Sequence, residues 1–174
     1  MNFEVNIRPV SPKDADQYLY LRAESEVEYP EYVGPSVEKE LLAGTEGVAE
    51  LLTSYPAQGT LIVGAFYKEE LVGVIATSRR LSPKIRHRAF IWGMYIVKKY
   101  RKYNLGASLL KYSLTSAINS SEVNIVWLQV TTTNIPAISF YKKYGFSIYG
   151  TEQQALYAAG KFHDVHYMEY VIEK

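Results

Sequence analysis

The chain contains no cysteine and three histidines, His87, His163 and His166, whose spacings do not match those of helical metal ligands. The missing cysteines exclude disulfides, thiolate nucleophiles and cysteine-bound metals, so we expect no metal site. The sequence also lacks a signal-peptide core near its N-terminus and any apolar run long enough to span a bilayer. We therefore expect a cytoplasmic protein without a membrane partner.

An excess of charge of one sign is missing as well. Nineteen basic and 18 acidic residues give a formal net charge of +1, so an anion site has to come from a local patch. This balance disfavours a nucleic-acid-binding α/β domain, and we expect no nucleic acid partner. Because the chain has 174 residues, with 48% hydrophobic and 21% charged residues spread along it, we expect one domain over residues 1–174.

Apolar periodicity and the positions of proline, glycine and capping residues predict the order of the elements. A loop is expected at residues 24–35, where acidic residues, prolines and a glycine cluster. The resulting order, βααβββαβαββ, predicts an α/β fold with one mixed sheet and a βαβ crossover at its centre. The predicted strands are 5–8, 60–67, 70–81, 87–97, 125–131, 146–152 and 162–172, and the predicted helices begin at Ser11, Ser36, Asn104 and Asn134.

A basic turn lies between the fourth predicted strand and the third predicted helix, where Lys98, Lys99, Arg101 and Lys102 precede Gly106. A strand-to-helix turn offers free backbone N–H groups and the positive end of the helix dipole, and both suit phosphate. The same pattern also fits a solvated loop whose lysines add solubility. A dinucleotide site is disfavoured because the chain has no G-x-G-x-x-G motif.

Residues 101–107, RKYNLGA, resemble the acyl-CoA-binding motif R/Q-x-x-G-x-G/A of the GNAT superfamily of N-acetyltransferases. Arg101 matches the leading basic residue and Gly106 the final glycine. Asn104 stands where the middle glycine is usual, and asparagine enters left-handed conformations more readily than most residues. Lys102 replaces a further glycine often seen beside the arginine and adds charge where a pyrophosphate would lie.

A second block, residues 134–146, is similar to the family pattern N-x-x-A-x-x-x-Y-x-x-x-G-F, and residues 150–168 resemble the C-terminal hairpin of many members. The resemblance covers residues 60–172. It implies a GNAT-like acyl-CoA N-acyltransferase fold with acetyl-CoA as the cosubstrate. The implied reaction is direct attack of a small-molecule or peptide amine on the thioester, which gives an amide and CoA.

The resemblance also implies that the fourth and fifth strands diverge and that acyl-CoA fills the gap like an added strand. Gly93 is expected to mark a bulge or a close backbone approach, or else a small residue under an aromatic ring. Tyr141 is implied to protonate the departing CoA sulfur, and a tyrosine that only packs in the core is the alternative. The implied cofactor-binding residues are Met94, Ile96, Val97, Arg101, Lys102, Asn104, Leu105, Gly106, Ala107, Asn134 and Tyr141.

The acidic, tyrosine-rich segment 24–32 lies where family members shape the acceptor pocket. Its residues Glu24, Glu28, Tyr29 and Tyr32 would suit a cationic amine. A CoA-binding sensor or interaction domain without turnover is the second function that the sequence leaves open, and a monomer or a homodimer is also open. The general base is not identified, and the candidates are His87, Glu24, Glu26, Glu28 and Glu31.

Overall fold

The computed structural model describes residues 4–32, 34 and 36–173. Within these residues the elements follow the predicted order, so the mixed α/β class is confirmed. The strands are β1 Asn6–Pro9, β2 Thr60–Tyr67, β3 Glu70–Arg79, β4 Arg88–Ile96, β5 Ile125–Thr131, β6 Ser147–Ala158 and β7 Lys161–Val171. The α-helices are α1 Ala15–Glu28, α2 Ser36–Ser54, α3 Leu105–Ile118 and α4 Ile135–Lys143.

The strands form one seven-stranded sheet in the order β1-β2-β3-β4-β5-β7-β6. Neighbouring strands are antiparallel except for β4 and β5, which are parallel. Helix α3 connects that parallel pair, so the predicted crossover at the centre of the sheet is confirmed.

Both faces of the sheet are covered because successive side chains of a strand point to opposite faces. In β3, Ile75 belongs to a core cluster with Leu109 of α3, whereas the preceding residue, Val74, belongs to a second cluster with Leu21 of α1 and Val48 of α2. Helices α1 and α2 therefore cover one face, and α3 covers the other. Among the described residues, no helix is long and apolar enough to cross a membrane.

The loop predicted from residue 24 is wrong in its first part, because α1 continues to Glu28. Acidic residues without local partners suggested a loop. In the structure, Glu24 and Glu28 lie one helical turn apart and both accept hydrogen bonds from the Tyr95 hydroxyl, at 3.1 and 2.6 Å. Val33 and Pro35, which the predicted loop included, lie outside the described residues.

The predicted end of β6 at residue 152 is also wrong, because the strand continues to Ala158. The chain instead forms an irregularity in which Gln154 has a φ of +52° and the pairing with β7 shifts between Glu152 and Leu156. The Gln154 N–H donates to Asp164 Oδ1 at 2.8 Å, which satisfies the backbone at the irregularity.

A buried ion pair joins the two helices on the first face. Arg22 of α1 and Glu40 of α2 are each 2% exposed, and Arg22 Nε lies 2.7 Å from Glu40 Oε2. The Tyr18 hydroxyl donates to the second carboxylate oxygen at 2.8 Å, and Arg22 Nη2 donates to Ser36 Oγ at 3.1 Å. Each charge is therefore neutralised and hydrogen-bonded inside the protein.

We predict that Glu40→Gln lowers the free energy of unfolding by about 3 kcal/mol, because it leaves the buried Arg22 guanidinium without its counter-charge. Urea unfolding measures the loss. The control is Glu38→Gln, an exposed carboxylate on the same helix, which we expect to change stability by less than about 0.5 kcal/mol. Equal stabilities for Glu40→Gln and the wild type would contradict this interpretation of the pair.

Candidate active site

A gap opens in the sheet between β4 and β5. The two strands pair with each other from Arg88 with Ile125 to Ile91 with Leu128, and beyond these residues both strands continue without pairing to each other. A cavity of about 680 Å³ fills the space between the diverging ends. Main-chain groups along this part of β4 are thus available to a ligand that lies against the strand.

A β-bulge in β4 marks the point of divergence. Tyr95 pairs with Val74 and Trp92 with Ala76, so Gly93 and Met94 together oppose the single residue between those two in β3. Gly93 has a φ of +62°, in the region that glycine enters without steric cost. The predicted bulge is therefore confirmed, and it bends β4 at the edge of the cavity.

Arg22 packs directly on this bulge. A Cβ atom at Gly93 would lie 3.3 Å from Arg22 Nη1, and Arg22 lines the cavity. Arg22 was not predicted as a site residue, because an arginine in a helix usually points to solvent. A signal was available, since Tyr18 and Arg22 are four residues apart on the same face of α1 as the apolar Leu21.

The basic turn closes one end of the cavity. Lys98–Tyr103 form a 3-10 turn, Asn104 has φ and ψ of 59° and 20°, and α3 begins at the next residue. The expected left-handed conformation of Asn104 is thus confirmed. Asn104, Gly106 and Ala107 line the cavity. The first turn of α3 is therefore at the cavity, and this end of the helix dipole is positive and attracts anions.

The predicted cofactor residues fall into two groups. Met94, Ile96, Arg101, Asn104, Gly106, Ala107, Asn134 and Tyr141 line the cavity. The other three do not line it. Leu105, the first residue of α3, is buried in the core, and Lys102 is exposed to solvent. Val97 donates its N–H to the Val72 carbonyl at 3.0 Å. Asn134 also caps α4, because its Oδ1 accepts from the Ala137 N–H at 3.2 Å.

Arg101 turns its guanidinium toward α1. Its Nη1 lies 2.9 Å from Glu28 Oε1, and its Nη2 pairs with the other oxygen of the same carboxylate. The Arg101 hydrogen bond lowers the pKa of Glu28 to about 2, so Glu28 is ionised at neutral pH. The prediction that Arg101 contacts a phosphate stays a prediction.

Tyr141 lies on α4 across the gap from β4. Its side chain is 7% exposed, and its hydroxyl lies 3.2 Å from the Met94 sulfur, a weak hydrogen-bond acceptor. Burial raises the pKa of Tyr141 above its usual value, so the phenol is protonated at neutral pH. The structure therefore presents a hydrogen-bond donor on the wall of the cavity.

A second cavity, of about 500 Å³, adjoins the first, and the two share the wall formed by Tyr32, Trp92 and Gly93. It adds Phe90, Glu152 and Leu156 to the lining. Sequence reasoning missed these residues and also Gln129, which lines both cavities. Gln129 gave a usable signal, because it is a polar residue inside the largely apolar strand IVWLQVT.

Of the four residues predicted to form the acceptor pocket, two line a cavity and two do not. Tyr29 and Tyr32 line the first cavity and stack with their ring centroids 5.5 Å apart. The carboxylates of Glu24 and Glu28 instead face Tyr95. None of the five candidate bases, all of which are described, is among the residues that line the two cavities: His87, Glu24, Glu26, Glu28 and Glu31.

We predict that Gly93→Ala destabilises the fold by about 1–2 kcal/mol, because an L side chain is strained at this positive φ. The new Cβ would also press on Arg22. Urea unfolding measures the change. Gly150→Ala is the control, since a Cβ there meets no atom within 4 Å and φ is not positive. The bulge does not require glycine if both variants are as stable as the wild type.

Comparison with known proteins assigns this architecture to a family. Residues 20–146 match the family model described as the acetyltransferase (GNAT) family. The acetyltransferase of the GNAT family from Streptococcus pneumoniae has the same fold, with a TM-score of 0.84, 26% sequence identity and coverage of 98% of this chain and 100% of that chain. The structure of yncA from Salmonella typhimurium, which contains acetyl-CoA, has a TM-score of 0.83, 13% identity and coverage of 98% and 95%, and supports the fold alone.

Two curated relatives differ in how much of their length is matched. The L-amino acid N-acetyltransferase AaaT of Escherichia coli is 25% identical over 170 residues, which cover 95% of this chain and 96% of that protein. The N-alpha-acetyltransferase of Sulfolobus acidocaldarius is 36% identical over 64 residues, which cover 37% of this chain and only 38% of that protein. On the family match and the whole-chain similarity of fold, this chain belongs to the acetyltransferase (GNAT) family.

Proposed function

We propose that this protein is an acetyl-CoA-dependent N-acetyltransferase that transfers the acetyl group to a primary amine of a small molecule or a peptide. The observation that carries the proposal is the gap between β4 and β5, which has the turn 104–107 at one end and the Tyr141 hydroxyl on its wall. Acetyl-CoA lies in the gap along β4, with its pyrophosphate at the N-terminus of α3.

The chemistry needs no covalent intermediate on the protein. The neutral amine attacks the thioester carbonyl carbon, the C–N bond forms, and the C–S bond breaks as the tetrahedral intermediate collapses. The amine loses one proton to solvent or a base, and the CoA sulfur gains one. Tyr141 supplies the proton to sulfur, because its phenol is protonated and its hydroxyl, among the described residues, is bonded only to the weakly accepting Met94 sulfur. The phenolate then regains a proton from solvent.

The acceptor enters from the side of the second cavity. Phe90, Trp92 and Leu156 give this cavity an apolar lining, while Gln129 and Glu152 supply polar groups. A lining of this kind suits a small ligand that buries most of its surface and is oriented by a few polar contacts. The whole-length similarity to a protein named as an L-amino acid N-acetyltransferase supports a small amine over a protein N-terminus.

An amine panel tests the function. The protein is incubated with acetyl-CoA and L-amino acids, polyamines, aminoglycosides or short peptides, and free thiol is measured as CoA is released. We expect release above the amine-free rate with at least one class. Tight binding of acetyl-CoA without any amine-dependent release would instead support the CoA-binding sensor.

We predict that Tyr141→Phe lowers kcat by roughly 10²-fold and leaves acetyl-CoA affinity nearly unchanged, because it removes the proton donor but keeps the ring and its packing. Steady-state kinetics and a thermal melt on the same preparation measure both effects. Tyr144→Phe, at the C-cap of the same helix and packed on Phe140, is the matched control. A folded Tyr141→Phe variant with wild-type kcat would exclude the phenol as the essential acid.

We predict that Gly106→Val weakens acetyl-CoA binding by at least tenfold. A Cβ at Gly106 would lie 3.1 Å from Met94 Cε and 3.3 Å from Ile96 Cδ1, so a branched side chain narrows the gap beside β4. Isothermal titration with acetyl-CoA measures the affinity, and Ser116→Val, exposed on the same helix, is the control. Equal affinities in both folded variants would place the phosphates elsewhere.

A further inference from the structure

Almost all the hydrogen-bond donors of the Arg101 side chain are bonded to other groups of the protein. Its Nε donates to the Ile96 carbonyl at 2.9 Å, and its Nη1 donates to Glu28 Oε1 at 2.9 Å and to the Tyr29 hydroxyl at 3.0 Å. Its Nη2 pairs with Glu28 Oε2. Of the five N–H groups of a guanidinium, these bonds leave one, which is too few for the paired contact by which arginine recognises a phosphate.

The partner carboxylate is equally engaged. Both oxygens of Glu28 contact Arg101, and Oε2 also accepts from the Tyr95 hydroxyl at 2.6 Å. Glu28 ends α1, Tyr95 lies on the diverging part of β4, and Arg101 lies in the basic turn. One carboxylate therefore ties three separate elements together on the β4 side of the gap.

Residues 28–32, which we name the strap, continue from this carboxylate to the other side of the gap. The Glu31 carbonyl accepts from Thr131 Oγ1 at 2.8 Å, at the end of β5. The Tyr32 hydroxyl donates to the Thr133 carbonyl at 3.4 Å. The strap thus joins β4 to β5 where the strands have diverged, and its Tyr29 and Tyr32 rings form part of the cavity wall.

We propose that Glu28 and Arg101 act as a clamp that positions the strap, and that through Tyr29 and Tyr32 the clamp sets the geometry of the acceptor entrance rather than the affinity for CoA. Arg101 is then a positioning residue. The proposal rests on the acetyltransferase function proposed above, because it assigns the strap to the acceptor side of the same site.

The charges of the basic turn agree with this division of roles. Glu28 neutralises Arg101, and Lys99 lies 3.3 Å from Glu70. Lys98 and Lys102 are exposed, and neither forms an ion pair with a described residue within 4.0 Å. The positive charge offered to a phosphate therefore comes from these lysines and from the amides that begin α3.

A double-mutant cycle on the full chain separates the two roles of Arg101. Glu28→Gln, Arg101→Gln and the double variant are compared by isothermal titration with CoA and by kinetics with the best amine from the panel. We expect the acceptor KM to rise about tenfold in each single variant and no further in the double variant, because either change opens the same clamp. The CoA Kd should stay within about twofold of the wild type.

Controls fix the interpretation. Lys102→Gln should weaken CoA and leave the acceptor KM unchanged, and Glu46→Gln, an exposed carboxylate on α2, should change neither. The clamp is overturned if Arg101→Gln weakens CoA tenfold while Glu28→Gln tightens it, since Arg101 would then be a phosphate ligand restrained by Glu28. Single effects on KM that multiply in the double variant would also overturn it.

Amide hydrogen exchange gives a second reading that needs no turnover. Exchange of residues 28–32 should become several-fold faster in both single variants, with little change across α3. Exchange in the strap that is the same in both variants as in the wild type would contradict the clamp proposal. If the wild type has no transferase activity but the strap still exchanges faster in both variants, the clamp proposal stands and the proposed transferase function is refuted. The two proposals can therefore fail separately.

Discussion

The early end of pairing between β4 and β5 is the constraint on which the site depends. Strand β4 remains bonded to β3 along its length, while the bulge at Gly93 bends it away from its parallel neighbour. Backbone groups that a closed sheet would consume are therefore held in place and left for a ligand. Helices α3 and α4 then bring the first-turn amides and the Tyr141 phenol to the two walls of the same opening.

Sequence reasoning succeeded where the physical cause is local. The positive φ of Asn104 and the start of α4 at its cap, Asn134, both follow from preferences of single residues or short motifs. It failed where the cause is distant. Glu28 meets Arg101, 73 residues away in the chain, and no local pattern shows that this acid continues a helix.

Helix α1 is fastened to the gap by two ion pairs of different character. The Arg22–Glu40 pair is buried, so it fixes one position of the helix against the bulge. The Glu28–Arg101 pair retains side-chain exposures of 23% and 32%, and water screens it more strongly. The deeper part of α1 is therefore fixed firmly, and its last turn, which leads into the strap, is held less tightly.

The short parallel ladder between β4 and β5 has a mechanical consequence. It divides the sheet into two antiparallel halves, β1 to β4 and β5 to β7, joined by the pairing of residues 88–91 with 125–128. Four residue pairs join the halves, as few as join the edge strand β1 to β2 and fewer than at any other junction of the sheet. We therefore expect a stretching force across the centre of the sheet to separate the halves along this seam. A molecule bound between the strands would bridge the seam, and the protein would resist such separation most strongly while that molecule is bound.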